Sequence, residues 1–149
     1  MSFQTRWEKW STIPPNVRWT VLEAVLMLAV ARVIVAAGLR WCTPWMFRPR
    51  PLQEAGEGPP YALVQEMRFA LSVAMNHVPW RSVCLPTAIA GKLMLHRRGW
   101  PSTIHLGVGK QASGDMHAHA WLELWGHVIS GADGISTVVP LPASSLSPQ

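Results

Sequence analysis

Cys84-Leu85-Pro86-Thr87-Ala88-Ile89-Ala90-Gly91-Lys92-Leu93-Met94-Leu95 reads as a helix that opens on a thiol. About one strand-and-turn unit later, Ala118-His119-Ala120-Trp121 lies on an alternating, strand-like stretch. A thiol at a helix N-terminus sees the positive end of the dipole and free N–H groups, both of which favour the thiolate. Nucleophilic catalysis needs such a thiolate, a base to hold or return its proton, and a group to orient that base.

Working outward from Cys84, the helix is expected to run to about Arg98, stopped by Gly99 and followed by extended chain at Pro101. His96-Arg97-Arg98 in its last turn complements the helix dipole, which explains these residues better than substrate binding does. Upstream, Tyr61 to Asn76 has helical spacing, with Leu63, Met67, Ala70, Leu71, Ala74 and Met75 on one face, and Val78-Pro79-Trp80 breaks it. Arg48 to Pro60 is rich in Pro and Gly and reads as a linker or irregular loop. A first helix is expected over Val17 to Leu39, with Asn16 as N-cap and Cys42-Thr43-Pro44 as its end.

Beyond Thr103 the period changes to two. Ile104, Leu106 and Val108 alternate with His105 and Gly107, and Gln111 to Gly114 reads as a turn. From His117 to Trp125, Ala118, Ala120, Leu122 and Leu124 share one face, with His119, Trp121, Glu123 and Trp125 on the other. Val128-Ile129 and Thr137-Val138-Val139 supply further strand. Helices followed by antiparallel strands make an α+β fold. The expected division is an apolar helix and linker over residues 1–58 and an α+β core over 59–149.

With 149 residues the chain is of one-domain size, and 49% apolar against 14% charged excludes disorder outside the Ser/Pro-rich end, Pro142 to Gln149. The net charge of +5 is scattered and no nucleic-acid recognition module is present, so nucleic acid is not an expected partner. Two cysteines exclude a disulfide scaffold. A Cys42–Cys84 bridge is formally allowed, but free thiols are the expectation in the cytoplasm. The apolar stretch Trp19 to Leu39 has the length to span a bilayer. Glu23 and Arg32 interrupt it, at a cost of about 2.5–3.5 kcal/mol each near a membrane centre. The expectation is a long, mostly buried helix lying against a membrane or a partner. Trp7, Trp10, Trp19, Trp41 and Trp45 suit either an interfacial belt or partner and core anchors.

Cys84 is the candidate nucleophile, and six histidines compete as its base. His96 lies more than three turns along the same helix, too far at about 1.5 Å per residue. His77 precedes the Pro79 break, His127 follows Gly126, and His105, His117 and His119 lie on strands. Spacing alone does not separate His117 from His119, which share a face. A two-residue loop at Trp125-Gly126 sets His119 opposite Ala132. One extra residue, from a bulge at Gly131 or a three-residue loop, sets it opposite Asp133 instead. Two plainer readings stand beside this site. A helix-start cysteine is often inert core. His117 and His119, with His105 or His127, have zinc-like spacing but form no recognised ligand quartet.

Pro79-Trp80-Arg81-Ser82-Val83-Cys84-Leu85-Pro86, Leu93 to Pro101, Ile104-His105-Leu106-Gly107-Val108 and Ala118-His119-Ala120-Trp121-Leu122-Glu123 together resemble the lasso-peptide biosynthesis B2 proteins. These are leader peptidases with a transglutaminase-like, papain-like fold. The resemblance covers about residues 78 to 142, and the apolar first helix also looks like the family's beginning. It implies hydrolysis of the leader–core bond of a ribosomally made precursor peptide, often beside a threonine near the leader's end. It implies two partners, a leader-recognition B1 protein encoded separately and an ATP-dependent macrolactam cyclase, and no cofactor or metal. By the same resemblance Cys84 is the nucleophile, His119 the base, and Asp133 in Ser130-Gly131-Ala132-Asp133 the orienting acid. Trp125-Gly126 departs from the acidic-residue–Gly turn of the family. Two other readings remain: an acyl transferase of transglutaminase type, and a non-catalytic, membrane-associated scaffold. The expected location is the cytoplasm, with peripheral membrane contact through the first helix.

Overall fold

The computed structural model of the chain describes residues 14–38, 46, 58–79, 84–110 and 115–141. The expected linker at 48–57, the turn at 111–114, the helix end at Cys42 to Pro44, and Trp7, Trp10, Trp41 and Trp45 lie outside them. Among the described residues, the helices α1 (Pro15–Ala36), α2 (Tyr61–His77) and α3 (Cys84–Arg97) come first. They are followed by β1 (Thr103–Lys110), β2 (Met116–Leu124), β3 (His127–Ser130), a 3₁₀ turn (Ala132–Thr137) and β4 (Val139–Pro140). The sheet has the order β3-β2-β1-β4 with antiparallel pairing throughout, so the fold is α+β as expected.

α1 starts earlier than the Asn16 cap predicts, because Pro15 takes its first turn, where a missing N–H breaks no intrahelical bond. It also ends earlier, at Ala36, with Gly38 left-handed at φ 85° just beyond. Its length and a mean hydropathy of 2.0 are enough to cross a membrane. One face is nonetheless core: Val21, Ala24, Leu28 and Ala31 pack with Val64, Met67, Ala70, Leu71 and Ala74 of α2 and with α3. The opposite row, Trp19, Leu22, Leu26, Val30 and Val33, is exposed.

The acid that interrupts the apolar stretch is accounted for by packing. Glu23 turns inward and receives a two-pronged contact from Arg98 at 2.6 and 3.0 Å, plus Arg97 at 2.9 Å. Arg98 also donates to the Met94 carbonyl at 3.1 Å, which satisfies an end of α3. Of the basic trio, Arg98 therefore caps the helix, and Arg97 and Arg98 fasten α3 to α1.

α3 is almost wholly buried along Pro86–Lys92 and lies between α1 and the Ala120, Leu122 and Leu124 face of β2. Pro86 belongs in the first helical turn, since its missing N–H would break the ladder if the helix continued far upstream. This fixes Cys84 at the helix's leading end. Buried Lys92 ties the helix to the approach of β1 through the Ser102 carbonyl at 2.9 Å.

The β2–β3 hairpin turns through Trp125 and Gly126, with φ of 51° and 79°. Leu124 pairs His127, so the loop has two residues, and positive φ at both matches the twist of the strands. Thr137 belongs to the 3₁₀ turn rather than to a strand, which shortens the last strand to Val139–Pro140.

Candidate active site

Cys84 is a free, half-buried thiol at the leading end of α3. It lines a cleft of about 730 Å³ together with Thr87, His119, Ser130, Gly131 and Asp133. α2 contributes Arg68, Ser72 and Asn76 to the same cleft. All three residues singled out by sequence therefore border one space.

The cleft forms where β3 ends and leaves the first half of β2 unpaired on that side. Glu123 pairs Val128, but Leu122 pairs Ser130, so one extra residue enters β3 at Ile129. This is the one-residue shift that would set His119 against Asp133, though the bulge falls two residues before Gly131. The ladder then stops. Gly131 takes φ 82° and the chain leaves β3 for the 3₁₀ turn that carries Asp133. His119 consequently has no β3 partner across from it.

The imidazole finds a different acceptor. His119 Nε2 lies 2.7 Å from the Gly131 carbonyl oxygen. A carbonyl only accepts, so Nε2 carries the hydrogen and the neutral ring keeps its lone pair on Nδ1. In this tautomer Nδ1 is the basic nitrogen. Asp133 makes no hydrogen bond or ion pair with the ring among the described residues. A Cβ on Gly131 would stand 2.5 Å from the Ala120 carbonyl oxygen, so only glycine allows this close return of the chain. Ring packing fixes the rest: Trp121 stacks on His119 at 6.3 Å between centroids and on His105 at 5.3 Å.

Three other histidines have neighbours outside the pair. His105 Nε2 faces Glu123 at 3.5 Å, and His117 Nε2 donates to the Thr137 hydroxyl oxygen at 3.4 Å. His77 Nδ1 donates to the Val73 carbonyl, closing α2. Among the described residues no three His, Cys, Asp or Glu side chains come together as metal ligands, so the zinc-like spacing on β2 does not become a site.

The sequence matches the transglutaminase-like superfamily over residues 25–142, most of its length. The chain belongs to that superfamily. The match runs from within α1 to the end of β4, so it takes in the cleft and every element around it. No curated protein and no solved structure matches the chain. Transglutaminase-like proteins are usually cysteine-dependent enzymes. A helix-borne cysteine and a strand histidine sharing one cleft agree with that chemistry. Sequence reasoning missed two parts of the site. Arg68 belongs to no motif that would single it out, and no side-chain pattern marks a backbone carbonyl such as that of Gly131.

Proposed function

We propose that the chain is the leader peptidase of a lasso-peptide pathway, hydrolysing the leader–core bond of a precursor peptide. The observation that carries the reading is the shared cleft, with Cys84 on one side and an imidazole of defined tautomer in reach of the same space. The sequence resemblance around Pro79–Pro86 and Ala118–Glu123 supplies the substrate class.

In the proposed reaction the Cys84 thiol passes its proton to His119 Nδ1, the sulfur attacks the leader–core carbonyl carbon, and backbone N–H groups at the start of α3 bind the oxyanion. The C–N bond breaks as the His119 imidazolium gives its proton to the leaving core amine, leaving a leader thioester. Water then attacks the thioester, His119 takes its proton, and the leader acid departs with the thiolate restored. The Gly131 carbonyl holds the ring in this scheme. Asp133 adds a negative charge at the cleft rather than a direct tether. The chemistry uses no cofactor or metal. The proposed partners are the precursor, a leader-recognition B1 protein and the macrolactam cyclase, in the cytoplasm. The exposed row on α1 is the surface that fits peripheral membrane contact.

Cys84→Ala, assayed with precursor, B1 protein and cyclase, is expected to abolish leader release. Retained release would overturn the proposal and favour a scaffold. Acyl transfer shares the thioester, so mass spectrometry of the leader fragment separates the two: a free acid supports hydrolysis, an amine adduct transfer. Asp133→Asn is expected to lower kcat/KM by about tenfold or less, because the tether of His119 is the Gly131 carbonyl. A loss as complete as that of His119→Ala would restore Asp133 as the orienting acid.

A further inference from the structure

α2 has two working faces. Val64, Met67, Ala70, Leu71 and Ala74 enter the core, while Arg68, Ser72 and Asn76, one turn apart, border the cleft. This polar row extends about 12 Å, at about 1.5 Å per residue. Ser72 and Asn76 are exposed and Arg68 is half-buried. The Arg68 Nε–H donates to the Val128 carbonyl of β3 at 2.7 Å. That bond sets the plane of the guanidinium and uses one of its five donors. The two-pronged Nη1/Nη2 edge is left over, and among the described residues no carboxylate pairs with it. This is unlike Arg98, whose fork is closed by Glu23. A half-buried guanidinium held by Nε and lining a cleft has the geometry that binds a carboxylate through two parallel N–H···O bonds.

We propose that Arg68 determines specificity by binding a carboxylate of the acyl-donor substrate near the carbonyl that Cys84 attacks, so that the cleft selects an acidic peptide segment. The inference rests on Cys84 being the nucleophile of this cleft. Ser72 and Asn76 continue the row with hydroxyl and amide groups suited to the backbone of the same extended segment.

The test uses the full chain and two probes of nearly equal size, iodoacetamide and iodoacetate. In both, the thiolate sulfur bonds to the methylene carbon and iodide leaves. Modification is read at Cys84 by peptide mass spectrometry, which keeps Cys42 separate, and N-acetylcysteine amide gives the reference ratio of the two rates. The anionic-over-neutral ratio at Cys84 is expected to exceed the reference by about tenfold at low salt and to fall as salt rises. Arg68→Gln should return the ratio to the reference, and because both probes react with the same thiolate, the ratio cancels any change in thiolate fraction. Lys110→Gln, which removes one unit of charge at the exposed end of β1, should leave the ratio high. A wild-type ratio no higher than the reference overturns the proposal, as does a high ratio that survives Arg68→Gln. Should Arg68→Gln not fold, 3-maleimidopropionic acid and its amide on the wild-type chain decide in its place, by the same ratio. Iodoacetamide reacting with Cys84 no faster than with the reference thiol would count against the nucleophile, while the ratio still reports on Arg68.

Discussion

A Cβ placed on Gly134 would lie 2.6 Å from His119 Cε1 and Nε2, so the ring occupies the space a side chain would need. Gly134 does not have positive φ, so alanine there displaces the imidazole without straining the backbone. Gly134→Ala is expected to cut kcat/KM by about a hundredfold, the scale of a one-ångström misplacement, with little change in urea midpoint. Kinetics beside a denaturation curve check both halves. Part of this was legible in sequence: Cys84 by its place at a helix start, and His119 and Asp133 through the family resemblance, since spacing alone leaves His117 and His119 equal. The acceptor of the imidazole was not, because every residue has a backbone carbonyl and only the path of the chain brings Gly131 to Nε2.

The helices show the same contrast one level up. α2 was readable because Met67, Ala70, Leu71 and Ala74 recur at helical spacing and form its buried face, with Val64 added. α1 is apolar all round, so spacing does not tell its core face from its outer face. Packing does: Leu28 is fully buried, and Leu26 is 59% exposed. Leu28→Ala is therefore expected to destabilise by about 2–5 kcal/mol. Leu26→Ala should stay within about 0.5 kcal/mol. Equal effects in chemical denaturation would mean that the faces are misassigned. The bulge at Ile129 belongs to this scale too, since the sequence allowed the shift from a bulge at Gly131 or a three-residue loop and the strand pairing puts it at Ile129 instead.

At the scale of the molecule, α1 is built into the same core as the elements that border the cleft, through Leu28 and Ala31 and through the Glu23 fork with Arg97 and Arg98. A chain truncated before residue 59 is therefore expected to lose cooperative unfolding and iodoacetamide reactivity at Cys84 above that of a free thiol. A truncated form that keeps both would show the 59–149 segment to be a domain in its own right. The sequence by itself determined the α+β class, the helix that carries Cys84, the strand faces and the chemical identities of the cleft's reactive groups. These follow from local periodicity, proline and glycine placement, and side-chain chemistry, all carried by neighbours along the chain. Only the tertiary structure decided where β3 stops, which atom holds His119, which face of α1 is covered and that Arg68 borders the cleft of Cys84. Each of those depends on residues far apart in sequence meeting in space, where close packing admits one arrangement and excludes the others.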